Sequence, residues 1–410
     1  MVEYQVAELA NGLRLVHKQV LHTQVAHCGI MLDIGSRDES VDELGIAHFW
    51  EHMAFKGTKK RKSFHILNRI DAVGGELNAY TTKEKICFHA SVLVQHIEKA
   101  IDLLADITFN STFPEKEIEK EKMVILEEMT MYLDSPEDAI QDEFDEVIFG
   151  KHPLGINVLG SKERVSAYRQ SDFIRFVSER MSNDRIILSS VNNLPFAQMK
   201  KLAEKYLGQI PVHKKALSRQ PVLEYTPKKI ILKKPISGAH CMIGRPAFSL
   251  MDERRIPFFM LNNLLGGPGM NSRLNLGLRE KYGWVYSVDS NFTTYTDTGL
   301  FSIYFGSDPK YLDRCAAVIY KEMKKLSSEA LTPTQLAAAK EQIKGQLAMS
   351  EENNMSLMLL FAKSILDLNE IESLPSIFQK IDAITSSELL DMAKDMFNPE
   401  LFSTLTYVPE

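Results

Sequence analysis

The chain runs through one order of elements twice, and this constrains its fold more than any single residue pattern. In the first pass a strand-rich stretch, Val6 to Ile34, leads to an amphipathic helix, a Gly-Gly turn, a strand (Ile86 to Leu93) and a helix (His96 to Asn110). In the second, a strand (Ile230 to Ile243), a helix (Arg255 to Leu265), a Gly-Gly turn, and a helix and strand reaching Asn291 to Phe305 precede a helix (Pro309 to Leu326). Apolar residues alternate along Leu300 to Phe305, the period of a strand. Each pass closes in long helical stretches: Pro114 to Glu146 and Ser171 to Glu179, then Pro333 to Asn353 and Ser386 to Met396. The join falls in Val212 to Lys229, a polar, basic, Pro-containing stretch. At 410 residues the chain is too long for one ordinary core. The predicted layout is α+β with two lobes, residues 1–211 and 230–410, linked by 212–229.

The first lobe carries His48-Phe49-Trp50-Glu51-His52, or H-x-x-E-H, the reverse of the H-E-x-x-H zinc signature. Residues four apart share a helix face, so His48 and His52 can direct two imidazoles at one zinc ion. Glu51 sits close enough to hold a water and take its proton. A solvated helix face can carry the same residue types, but the context favours a buried helix. The loop-like stretch Gly35 to Ser40 comes first, Gly45-Ile46-Ala47 leads into the motif, and Ile46, Phe49, Trp50 and Met53 form an apolar stripe. The second pass has Asn262-Asn263-Leu264-Leu265 in that neighbourhood, so only the first lobe is expected to bind metal.

A catalytic zinc takes three protein ligands and keeps one position open. Residues 115–134 read as a long charged helix with Ile118, Met123, Ile125, Leu126 and Met129 as its apolar stripe. Glu121 and Glu128 are two turns apart on one face. Spacing alone leaves Glu121, Glu127 and Glu128 all open as the third ligand.

These motifs together resemble the M16 (pitrilysin-type, inverzincin) zinc metallopeptidases, in particular the short chains of the processing-peptidase type. Val124-Ile125-Leu126-Glu127-Glu128 matches that family's V-x-L-x-E segment. This register implies Glu128 as third ligand and Glu121 as its supporting carboxylate, with Glu127 turned about 100° away. Gly74-Gly75-Glu76-Leu77-Asn78-Ala79-Tyr80-Thr81-Thr82 resembles the family's turn into an edge strand that pairs with substrate, which implies binding roles for Asn78, Ala79 and Tyr80. Leu265 to Leu274 and Leu278 to Ser287 resemble a second signature, which implies that Arg279 and Tyr286 bind substrate near the zinc. An Arg can donate to a peptide carbonyl and a Tyr hydroxyl can steady an oxyanion.

The resemblance covers essentially the whole chain and implies two homologous α/β-sandwich lobes, each a mainly antiparallel sheet with helices. It further implies one Zn²⁺ per chain, with His48, His52 and Glu128 as ligands and Glu51 as general base in the hydrolysis of peptides or unfolded segments. Short members pair into chambered dimers. Because both residue sets are present, a homodimer is expected in which Arg279 and Tyr286 of one chain serve the zinc of the other. The alternatives are an inactive core subunit and a chain that needs an unlike partner.

A formal net charge of −6 leaves no basic footprint for nucleic acid. The short basic run Lys56 to Lys62 reads as a solvated turn. No apolar run is long enough to span a membrane. The N-terminus carries two acids and no basic, apolar leader pattern, so a cytoplasmic protein is expected. Cys28, Cys87, Cys241 and Cys315 show no C-x-x-C spacing and read as reduced thiols. His65, His89, His96 and His152 have no partner at ligand spacing and are expected to be ordinary surface or core residues.

Overall fold

The computed structural model describes residues 4–216, 218–222 and 224–410; Met1 to Glu3 lie outside it, as do Leu217 and Leu223 within the expected join. Two compact units form. The first holds residues 1–130, 156–219 and 349–373; the second holds 131–155, 220–348 and 374–410. The division therefore departs from a simple cut at 212–229. Each unit takes one segment from beyond that boundary, and in each case the segment supplies a helix that covers one face of a sheet.

The first unit is built on six strands: β1 (Gln5–Glu8), β2 (Arg14–Gln19), β3 (Val25–Leu32), β4 (Glu76–Thr81), β5 (Ile86–Leu93) and β6 (Ile186–Asn192). Their order is β1-β2-β6-β3-β5-β4, antiparallel except for the parallel β2–β6 pair. Period-two alternation sorts the side chains. Cys28, Ile30, Phe88 and Ala90 enter one core with the helices α1 (Ile46–Ala54), α2 (Ser63–Asp71), α3 (Ile97–Phe109) and α4 (Glu115–Asp134). Val16, Met31, Cys87 and Ile187 face the other side, where Leu357, Met358, Phe361 and Ile365 of the helix Asn354–Leu368 cover them. Gly29 keeps that contact close, since a Cβ there would lie 3.2 Å from Met358 Sδ and 3.0 Å from His89 Cβ and both neighbours would have to give by a few tenths of an ångström.

The second unit repeats the plan with β7 (Lys229–Lys234), β8 (Ala239–Ala247), β9 (Val285–Thr294), β10 (Gly299–Ser307) and β11 (Ser403–Pro409) in the order β7-β11-β8-β10-β9. Again one pair, β7–β11, is parallel and the rest are antiparallel. One face packs on the helices Arg255–Gly266, Leu312–Ser328 and Ser386–Met396. The other packs on α5 (Pro136–Phe149) through Ile140, Phe144 and Ile148. The two-lobed α+β class expected from the sequence is the class observed.

Three local readings change. The expected strand Ile230 to Ile243 is two strands, interrupted around Pro235, which has no N–H to give a ladder. The expected strand Asn291 to Phe305 is two strands of a hairpin, β9 and β10, preceded by the helical turn Asn275–Glu280. The long stretch Pro114 to Glu146 divides at Ser135, because Pro136 cannot continue α4 but suits the first position of α5. The four cysteines are buried and free. Among the described residues no helix is long and apolar enough to cross a membrane.

Candidate metal centre

Helix α1 is amphipathic in the sense its sequence requires. Ile46, Phe49, Trp50 and Met53 are fully buried, with Phe49 edge-on to Phe173 at 5.0 Å and Trp50 against Phe88 at 6.3 Å. This packing fixes the helix about its axis and turns His48, Glu51 and His52 toward α4. The helix starts at Gly45, whose φ of 89° an L side chain seldom adopts. The loop before it is buried despite its polar sequence: Gly35 to Glu39 are all buried.

Helix α4 is held from the other side by Ile118 and Ile125, both fully buried. Glu121 and Glu128 then face α1, whereas Glu127 is exposed. His48 Nε2 lies 3.8 Å from Glu128 Oε1, and His52 Nε2 lies 3.5 Å from Glu128 Oε2. The three donor atoms all lie within 4.8 Å of one another. His52 Nδ1 donates to Glu121 Oε1 at 3.1 Å, and Lys56 Nζ donates to Glu121 Oε2 at 2.6 Å. A proton held on Nδ1 leaves Nε2 of His52 free to ligate, the usual arrangement behind a metal-bound histidine. Two imidazole nitrogens and a carboxylate oxygen suit a borderline cation such as Zn²⁺, so the residues fit the metal.

The electrostatics follow from the same contacts. Burial lowers the pKa of His48 to about 4, assisted by His52 and opposed by Glu128. Burial also acts to lower that of His52, but its hydrogen bonds to Glu121 and Glu128 outweigh it and hold the value up at about 9. Glu121 is held below the usual carboxylate range because His52 and Lys56 outweigh its burial. Burial raises Glu51, opposed by a hydrogen bond from Thr81 Oγ1 to Glu51 Oε2 at 2.6 Å.

Thr81 ends β4, which among the described residues pairs with β5 alone and so leaves one edge open. Along β4, Leu77 and Ala79 join the core on the helix side, while Tyr80 joins the cluster on the opposite face, with Asn78 in step with it. Of the three residues expected to bind substrate, only Ala79 thus shares the α1 face, and any shared role for all three has to run through their backbone. Arg279 lies in the helical turn Asn275–Glu280 and Tyr286 in β9, both exposed and both in the second unit. Lys56 and Arg61 are not the solvated residues expected of the basic run. Lys56 is paired with Glu121, and Arg61 is paired with Asp102 and Asp106. His65, His89, His96 and His152 join no group of potential ligands among the described residues.

Three contributors escaped the sequence reading: Thr81, Lys56 and Glu39, whose carboxylate binds the start of α1.

Comparison with known proteins agrees along the chain. Residues 14–162 match the family model described as Insulinase (Peptidase family M16), and residues 169–343 match the Peptidase M16 inactive domain. An uncharacterized zinc protease of Bacillus subtilis is 33% identical over 390 residues, 95% of each chain. An uncharacterized zinc protease of Mycobacterium leprae is 32% identical over 394 residues, 95% of this chain and 88% of that one. A protease from Helicobacter pylori has the same fold, with a TM-score of 0.93 and 22% identity over the whole of both chains. Two family models in succession, and relatives a third identical across nearly the full length, assign this chain to the M16 peptidase family.

Proposed function

We propose that this member of the family is a zinc-dependent endopeptidase acting on peptides and unstructured protein segments. The observation that carries the reading is the convergence of His48, His52 and Glu128 ligand atoms within 4.8 Å, the two histidines lying on the helix that also bears Glu51 and Glu128 on α4. His48, His52 and Glu128 would hold one Zn²⁺ per chain. A zinc ion held there would supply Lewis-acid activation of a water near neutral pH.

Glu51 takes the proton of the attacking water and returns it to the leaving amine. Its burial supports the first half of that task, because a raised pKa favours accepting the proton. Glu121 orients His52 and Lys56 orients Glu121. The open edge of β4 receives the substrate as an added strand, so that main-chain hydrogen bonds supply affinity largely independent of sequence.

The working form we propose is a homodimeric chamber in which Arg279 and Tyr286 of one chain serve the zinc of the other. The support is that both residues are exposed and their side chains are free to meet a second chain. The test is hydrolysis of a mixed peptide pool by wild type and Glu51→Gln, with bound zinc and solution mass measured on each. Zinc in both, cleavage by wild type alone and a dimeric mass are expected. Zinc without cleavage by wild type would favour a requirement for an unlike partner, and absence of zinc would sink the proposal.

A further inference from the structure

Glu39 is a buried carboxylate with no cation. It is 6% exposed, and among the described residues no Lys or Arg pairs with it. Its Oε2 accepts from the Gly45 N–H and its Oε1 from the Ala47 N–H, both at 2.8 Å. Its acidic neighbours are engaged elsewhere: Asp38 accepts from Gly35 N–H and Arg219, and Glu43 accepts from Ser40 and Arg180. The first amides of a helix have no partner within it, and Gly45 has no side chain with which to cap α1. Glu39 supplies that cap from six residues upstream with both of its oxygens, although burial pushes its carboxyl well above the usual carboxylate range.

We infer that Glu39 is a positioning residue of the metal centre, fixing the first turn of α1 so that His48 and His52 meet Glu128. The inference rests on the zinc-peptidase reading above. Helix α1 has only nine residues, and His48 directly follows the amide that Glu39 holds. Glu128 sits on a different helix, anchored by Ile118 and Ile125. A small rotation or slide of α1 therefore changes the distances from both imidazoles to Glu128, whereas α4 stays in place. A metal shell tolerates displacements of only about 0.5 Å. A cap that served stability alone would not alter that shell.

Glu39→Gln is nearly isosteric but turns an NH₂ group toward one of the two amides. Zinc affinity by chelator competition, the visible spectrum of the Co²⁺-substituted protein, kcat and KM, and thermal melting would be compared for wild type, Glu39→Gln and Glu51→Gln. We expect Glu39→Gln to bind zinc at least ~10-fold more weakly, with a changed cobalt spectrum and a lower kcat at unchanged KM. Wild-type zinc affinity and cobalt spectrum, with only the melting temperature lowered, would overturn the inference while leaving the peptidase reading intact. A wild type that binds no zinc would instead remove the reading beneath it. Should Glu39→Gln not fold, Glu39→Asp, whose arm is one carbon shorter, carries the same expectations.

Discussion

Thr81 Oγ1 donates to Glu51 Oε2 at 2.6 Å, so the last residue of the edge strand holds the carboxylate of the metal helix. One hydrogen bond thus ties the place where substrate is expected to add to the group expected to move the proton. It also fixes which oxygen of Glu51 stays free.

Thr81→Val keeps the shape and removes the hydrogen bond. A hydrogen bond to a charged group contributes about 1.5–3 kcal/mol, and part of that is lost when Glu51 swings free. We expect kcat to fall about ten-fold with KM and zinc content little changed, since 1.4 kcal/mol corresponds to a factor of about ten. Steady-state kinetics at saturating zinc would check this, and an unchanged kcat would mean that Glu51 needs no help from β4.

Glu121→Gln leaves an acceptor for His52 Nδ1 but removes the charge that Lys56 and His52 share. Zinc should bind about ten-fold more weakly, with the fold intact. Chelator competition measures this directly. Affinity equal to wild type would reduce Glu121 to a packing residue.

Acid should destabilise the first unit partly through Asp33. Burial pushes its pKa up, but Lys85 at 2.8 Å, Arg219 at 3.0 Å and Arg185 at 3.1 Å outweigh this and hold it at about 2 against an ordinary 3.8. A value depressed by folding gives stability that is fully present above the unfolded pKa and is lost as pH falls through the folded one. That contribution is about 2 kcal/mol at neutral pH, lost between about pH 4 and 2. Asp367, which shares Lys85 at 2.5 Å, has the opposite sign because burial prevails and raises it. In urea titrations Asp33→Asn should lose about 3 kcal/mol at pH 7 and show a flatter decline below pH 4 than wild type. A parallel decline in the two proteins would exclude Asp33 as a source of acid sensitivity.

The grouping of His48, Glu51 and His52 was legible in the sequence because helical spacing is rigid. His48, Glu51 and His52 must share a face once Ile46, Phe49, Trp50 and Met53 fix the opposite one. Glu128 needed the family register, since Glu121, Glu127 and Glu128 are equal in spacing arguments and differ only by the rotation of α4, which Ile118 and Ile125 decide. Thr81 and Glu39 were illegible for a different reason. Their partners are 30 residues away in one case and, in the other, backbone amides reached across a polar, loop-like stretch. The helix Asn354–Leu368 shows the same limit at the scale of the fold. Its apolar run signals burial, but nothing local says that the buried face meets Met31 and Val191 rather than the nearer second sheet.

The turn into α1 offers a stringent test of how tightly the metal helix is seated. Gly45 has φ 89° and Gly160 has φ 76°, and the two face each other across the loop. A Cβ on Gly45 would meet the Leu159 carbonyl, and one on Gly160 would meet the Leu44 carbonyl. Both conformation and space therefore forbid a side chain, and Gly45→Ala and Gly160→Ala should each cost about 2–3 kcal/mol in urea unfolding. Because each displaces the same contact, the double substitution should cost well below the sum of the two. Gly45→Ala should in addition weaken zinc binding, since the Gly45 amide is one that Glu39 holds. Additive losses would mean that the two glycines relax independently, and that 159–160 does not brace the start of α1.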